Sequence, residues 1–250
     1  MSDLVIVSDE GPIRLVRMNR PDKKNALTMA MYEAMSAAIE DAPKNPALRG
    51  LLIAGQPGAF TAGNDLADFL KASKADGALG PYIMRFLYAL ARCELPLIAA
   101  VRGLAVGIGT TMMLHCDHVV AGSDARFSAP FVSLGLVPEA GSSLIAPRLM
   151  GHARAFSLLV MGRPMNAEEA KAAGFVNNVT PPDEVEAEAM KAAREIAALP
   201  AQAVLEGRRL LRGSREEIIA RIEMEAAIYK TCLQSPEART AFEAFLNRKR

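Results

Sequence analysis

Residues Leu97 to Gly109 read LIAAVRGLAVGIG. The run Leu97 to Val101 is short, continuous and apolar, the pattern of a strand buried on both faces. The glycines that follow, Gly103, Gly107 and Gly109, mark a turn that opens into a helix near Gly109. The same kind of run recurs as LLIAG (Leu51 to Gly55), HVVAG (His118 to Gly122) and, more weakly, FVNNV (Phe175 to Val179). Helical segments at Pro81 to Arg92, Thr110 to His115 and Ser142 to Met150 separate most of them. Strands alternating with helices imply parallel pairing and an α/β class, in a loose strand-then-helix rhythm without a strict repeat.

Outward from this centre, Leu4 to Val7 and Ile13 to Met18 read as two strands joined at Gly11-Pro12. Thr28 to Asp41 reads as an amphipathic helix with Thr28 as N-cap and Pro43 beyond its end. After Thr180-Pro181-Pro182 the chain is nearly all helix former. The expected division is an α/β core over 1–182 and a helical portion over 183–250 that caps the core or packs against a neighbouring subunit.

The 250 residues are 51% hydrophobic with no Trp, enough for a sizeable aliphatic core, and the formal charge of +1 offers no global field for nucleic acid or anionic membrane. The basic runs GRRLLRGSR (Gly207 to Arg215) and NRKR (Asn247 to Arg250) read as a solvated helix face and a frayed tail. Three cysteines, Cys93, Cys116 and Cys232, have no paired spacing and imply free thiols in a reducing compartment. The N-terminus lacks a signal-peptide pattern, no run has the length of a membrane span, and the C-terminus lacks Ser-Lys-Leu. A soluble cytoplasmic protein is expected.

Two glycine-marked turns follow buried strands: FTAGNDLADF (Phe60 to Phe69) and GLAVGIGTTMML (Gly103 to Leu114). In parallel α/β sheets, ligands gather at the carboxyl ends of strands, where such turns sit. Glycine lets backbone N–H groups approach a ligand, so facing turns can form an oxyanion hole from main chain alone. The same glycines equally fit tight turns and close packing, and both readings stand at this point. A dinucleotide turn at Gly103, Gly107 and Gly109 lacks its Tyr-x-x-x-Lys partner, because Tyr32, Tyr82, Tyr88 and Tyr229 are followed four places on by Ser36, Phe86, Arg92 and Leu233. HCDH (His115 to His118) has no second cluster to complete a metal site and reads as structural. With His152 as the third and last histidine and no G-x-S-x-G elbow, a Ser-His-Asp triad has little support.

One carboxylate stands out. Glu139 lies in LGLVPEAGSS (Leu134 to Ser143), among apolar residues, Pro138 and two glycines, just before a helix begins. Apolar surroundings would raise its pKa and make it a better base. The dipole of the helix beginning near Ser142 would lower it. Composition leaves the two open.

These residues together resemble the crotonase superfamily, the enoyl-CoA hydratases and isomerases, over nearly the whole chain. The matching segments are NRPDKKNAL (Asn19 to Leu27), TAGNDL (Thr61 to Leu66), LPLIAAVRGLAVGIG (Leu95 to Gly109), the strand beginning near Asp117, ARFSAPFVSLGLVPEAGSS (Ala125 to Ser143) and the Ala170 to Val179 segment. The resemblance implies ββα units wound into a spiral, helices that trimerise or cap, and a homotrimer or dimer of trimers. It implies an acyl-CoA thioester substrate, CoA being part of the substrate and not a cofactor.

The family's two oxyanion N–H groups map onto Asn64 and Ile108. Lys24, Ala26 and Leu27, with Ala62, Gly63, Asp65 and Leu66, would line the nucleotide part of CoA, and Gly107 would belong to the substrate-binding residues. Phe69, Leu70, Phe131, Val132 and Leu136 are candidate walls for the acyl chain.

The departures from the pattern narrow the chemistry. The resemblance places the two hydratase glutamates at Thr111 and Phe131, so both acids are gone. Glu139 remains, at the position of the glutamate in the Δ3,Δ2-enoyl-CoA isomerase branch, and the resemblance makes it the catalytic base. Adding water needs a positioned water and proton transfer on both sides, hence a pair of carboxylates, whereas moving a double bond needs a single base. The expected activity is an enoyl-CoA isomerase. The alternatives are a hydratase using Glu139 with a differently placed water, a non-catalytic acyl-CoA-binding member of the fold, and another enolate reaction served by the same oxyanion hole.

Overall fold

The computed structural model describes residues 4–70 and 79–247. The end of the basic tail, residues 248–250, and the first three residues lie outside the described residues. The strands are β1 (Val5–Glu10), β2 (Ile13–Met18), β3 (Gly50–Ala54), β4 (Ala59–Thr61), β5 (Leu97–Val101), β6 (Leu104–Val106), β7 (His118–Gly122), β8 (Arg126–Ser128), β9 (Met165–Asn166) and β10 (Asn178–Thr180). A six-stranded sheet runs β1-β2-β3-β5-β7-β10 and a four-stranded sheet runs β4-β6-β8-β9.

The hairpin β1–β2 is antiparallel, and from β2 onward the large sheet is parallel. Each of β3, β5 and β7 passes after a short turn to a strand of the small sheet: β4, β6 and β8. Chain then returns over helix, such as α1 (Met29–Asp41) before β3 and α2 (Gly80–Arg92) after β4. This is the expected spiral of ββα units. Thr28 caps α1, its hydroxyl accepting the N–H of Met31 at 3.3 Å.

Strands β3 and β5 are buried at every position. The alternation of side chains explains how. Leu51 and Ile53 enter the main core, while Leu52, Ala54, Ile98 and Ala100 face a second core on the rear of the sheet. There they meet Val185, Ala189 and Ala193 of a later helix, Val185–Ala197. That helix lies beyond residue 182, as do Ile218, Ile222 and Tyr229, which join the main core. Residues 183–250 are helical through all their described elements, and their packing is continuous with that of the first 182.

Two expectations need correction. FVNNV yields a strand only from Asn178, because Asn177 replaces a ladder rung with its side chain: its Oδ1 accepts Val119 N–H at 2.8 Å and its N–H donates to Val119 O at 2.9 Å. The basic run GRRLLRGSR is not simply a solvated face. Arg208 donates to Asp117 Oδ2 at 2.6 Å and to the carbonyl of Cys93 at 2.6 Å, with its side chain only 9% exposed. It is Leu210 and Leu211 that face outward, 74% and 91% exposed.

Among the described residues, no helix is long and apolar enough to cross a membrane.

Candidate active site

The first glycine turn leaves β4 and is pinned by the 24–27 segment. Ala62 N–H donates to Lys24 O, Leu27 N–H to Gly63 O and Asp65 N–H to Leu27 O, at 2.9, 2.8 and 2.8 Å. Lys24 and Asn25 take left-handed backbone to make this pairing, with φ of 51° and 53°. Buried Asn25 holds the bend by donating to the carbonyls of Ala59 and Phe60. Thr61 adds a second tie, donating to Asn25 O at 2.6 Å and accepting the Gly63 N–H at 3.1 Å. Arg20 reaches Asp65 at 2.8 Å and closes the outer edge.

The second turn follows β6. Gly107, at φ 59°, accepts the N–H groups of Thr110 and Thr111 and opens α3 (Ile108–Thr111). The helix therefore starts two residues earlier than Thr110, and Met112–His115 continues it as a tighter turn. A Cβ on Gly63 would stand 2.8 Å from Val106 O, so the two turns lie back to back in contact. The backbone N–H groups of Asn64 and Ile108, one residue and two residues from that contact, have no acceptor among the described residues. Both residues line a cavity, so these donors are free to bond a ligand there. Tyr32 donates to Asn64 Oδ1 at 2.5 Å and fixes the Asn64 side chain from beneath.

Both turns open on one cavity of about 490 Å³. Asn64, Ile108 and Glu139 all line it. So do Lys24, Ala26, Ala62, Gly63, Asp65 and Leu66 on one side, and Gly107, Phe131 and Leu136 on the other. Leu27 does not: it is fully buried, and its backbone pairs with Asn64 instead, so its part is to hold the turn. Of the candidate acyl walls, Phe69 reaches the cavity, Leu70 packs against the core outside it, and Val132 is 44% exposed on the surface.

Glu139 is 4% exposed. Burial pushes its carboxyl up to about 8, against a partial offset from Thr111, whose hydroxyl donates to Glu139 Oε1 at 2.6 Å, and with a further push from the charge of Glu225. The turn carrying it is clamped. Ala140 has φ 64°, rare outside glycine, and its carbonyl accepts the Nε2–H of buried His115 at 2.7 Å. That bond gives the HCDH segment its structural part. Burial keeps His115 neutral, lowering its pKa to about 4.

Four further contributors come from places with no local sequence signal: Tyr32 from α1, and Glu225, Tyr229 and Phe242 from the C-terminal helices. Tyr229 and Phe242 both line the cavity, each with its ring 6.4 Å from that of Phe69. A pocket with two unpaired main-chain N–H groups and one buried carboxylate can remove a proton next to a carbonyl and hold the resulting oxyanion.

Residues 8–250 match the family model described as enoyl-CoA hydratase/isomerase. The chain belongs to the enoyl-CoA hydratase/isomerase family. Among solved structures in the family, it is similar to an enoyl-CoA hydratase/isomerase from Pseudoalteromonas atlantica T6c, with TM-score 0.93, 39% identity and 98% of each chain covered. It is similar also to Pseudomonas aeruginosa OdaA, with TM-score 0.92 and 44% identity over 98% of this chain and 99% of that one. Enoyl-CoA delta isomerase 2 of Rattus norvegicus is 33% identical over 98% of this chain and 64% of its own length. Crotonyl-CoA hydratase of Syntrophomonas wolfei is 32% identical over 98% of this chain and 96% of its own length. The family's relatives thus carry names of both reactions.

Proposed function

We propose that this family member moves the double bond of a 3-enoyl-CoA thioester to the 2-position. The observation that carries the reading is Glu139: among the described residues lining the cavity it is the one buried carboxylate, Asp22 being exposed and Asp65 being paired with Arg20. The thioester carbonyl oxygen accepts the N–H groups of Asn64 and Ile108. Ionised Glu139 removes a proton from C2, and the C–H electron pair spreads into the carbonyl as a dienolate. Glu139 then returns the proton to C4, leaving the double bond between C2 and C3. The donors match the charge that develops on oxygen, each worth on the order of 3 kcal/mol. Exposed Lys23 and Lys24 at the mouth suit the phosphates of CoA.

Hydration is the second reading, favoured by the hydratase names among the relatives. It would require a water activated without a second acid, since Thr111 donates its hydroxyl hydrogen to Glu139. Assaying 3-hexenoyl-CoA isomerisation beside crotonyl-CoA hydration separates the two. The expected result is isomerisation as the faster reaction, lowered about 10²–10⁴-fold by Glu139→Gln with acyl-CoA binding retained. Faster hydration, or an unimpaired variant, overturns the assignment.

A further inference from the structure

The helix after Glu139 poses an electrostatic problem. α4 (Ser142–Met150) begins three residues beyond it, and the N–H groups at its start form the positive end of a helix dipole. Left open, that end would stabilise negative charge on Glu139 and weaken it as a base. It is not open. Glu225, from the long helix Arg215–Leu233, reaches back and accepts Gly141 N–H at 2.6 Å, Ser143 N–H at 2.9 Å and Ser143 Oγ–H at 2.5 Å.

These contacts have a geometric consequence. Ala140 C=O and Gly141 N–H belong to one peptide group. His115 holds its oxygen at 2.7 Å and Glu225 holds its nitrogen at 2.6 Å. Both residues are buried, at 1% and 5% exposure. The Ala140–Gly141 peptide, the second after Glu139, is therefore held at both its oxygen and its nitrogen, and Ala140 stands in a left-handed conformation that alanine does not favour alone.

We propose that Glu225 is a positioning residue for the catalytic carboxylate: it fixes the Glu139–Gly141 turn and occupies the positive end of α4, so that Glu139 faces a neighbouring negative charge in place of an open dipole. The inference rests on the reading of Glu139 as the base. Three donors aimed at two oxygens call for the ionised form of Glu225, since a carboxylate only accepts. Burial raises the Glu225 carboxyl above its ordinary value on balance, while those donors and Arg221 pull against that rise. Arg221, which donates to Ser143 Oγ at 3.3 Å, is the cation on this side. Glu139 is faced by Thr111 from α3, Tyr32 from α1 and Tyr229 from the helix of Glu225, none of them charged at neutral pH, and His115 beneath the turn is neutral.

The test follows the Glu139 carboxyl directly, by 13C NMR of protein labelled at the glutamate side-chain carboxyls, with the Glu139 signal identified by its loss in Glu139→Gln. In Glu225→Gln, which keeps an acceptor oxygen and removes the charge, the Glu139 titration midpoint should fall by about one pH unit or more. The pH at which kcat/KM rises should move down with it. A folded Glu225→Gln protein with an unmoved Glu139 midpoint overturns the proposal. Should that variant not fold, the wild type still decides. Glu225 must titrate below Glu139, and a Glu225 that stays protonated through the Glu139 transition overturns the proposal equally. Because the NMR readout needs no turnover, a protein with the shift and no isomerisation would sink the reaction assignment while leaving the electrostatic role of Glu225 standing.

Discussion

The Thr111 hydroxyl donates a 2.6 Å hydrogen bond to Glu139 Oε1, from the position where the hydratase pattern places its first acid. In the proposed reaction this position supplies no second proton carrier and instead donates to Glu139. This bond favours the ionised form of Glu139, against the burial that disfavours it. Thr111→Val keeps the shape and removes the donor. The midpoint of the kcat/KM–pH profile should move upward, with activity at pH 7 down roughly tenfold. A midpoint that stayed put or fell would argue that the bond does not reach the working carboxylate.

The raised pKa of Glu139 also sets a pH dependence of stability. Its folded value is about 8 against an ordinary 4.5. Keeping the acid neutral favours the folded state below the unfolded pKa, and that contribution is lost as pH rises through the folded one. Glu139→Gln is neutral at every pH. It should therefore melt near the wild type at pH 5 and above it at pH 8.5, by on the order of a few kcal/mol. Thermal denaturation across that range checks it, and a variant less stable than wild type at pH 8.5 would contradict the sign.

Tyr32 bears on the proposed oxyanion hole through Asn64. Tyr32→Phe leaves the buried ring in its edge-on contact with Phe86 and removes only the hydroxyl. Expected is a loss of up to about tenfold in kcat, with KM little changed, because the bond positions the turn that carries the donor. Steady-state kinetics on the isomerisation substrate distinguishes this from a general packing defect, which would lower the melting temperature as well.

Gly63 offers a sharper perturbation. An alanine there places its methyl 2.8 Å from Val106 O at φ 82°, so the two turns must separate. Losing the alignment of one oxyanion donor costs about 10²–10³-fold in kcat. Gly63→Ala should show that loss with an unchanged circular dichroism spectrum. Near-normal turnover would mean that the hole tolerates a wider gap than this packing implies.

Sequence legibility followed locality. Leu97 to Val101 and Ser142 to Met150 could be read to the residue because strand burial and helix onset are written in adjacent side chains. The Thr28 cap was legible for the same reason. Asn177 was not, since an asparagine replacing a ladder rung is indistinguishable beforehand from one inside a strand. Arg208 reads as solvated because its partner Asp117 lies 91 residues away, and nothing adjacent to Glu225 in the sequence marks its bonds to the N–H groups of Gly141 and Ser143. Glu139 itself was visible as an anomaly. Whether its environment favours charge depends on Thr111 and Glu225, 28 and 86 residues distant, and no short window of sequence contains all three.

Tyr229 and Phe242 complete the cavity wall from the last stretch of the described chain. During synthesis, the turns that bear Asn64, Ile108 and Glu139 leave the ribosome well before either ring exists. A chain lacking these rings would leave the cleft open to water, where the carboxyl of Glu139 would ionise nearer its ordinary range. The raised basicity of Glu139 thus depends on the terminal helices as well as on its own turn.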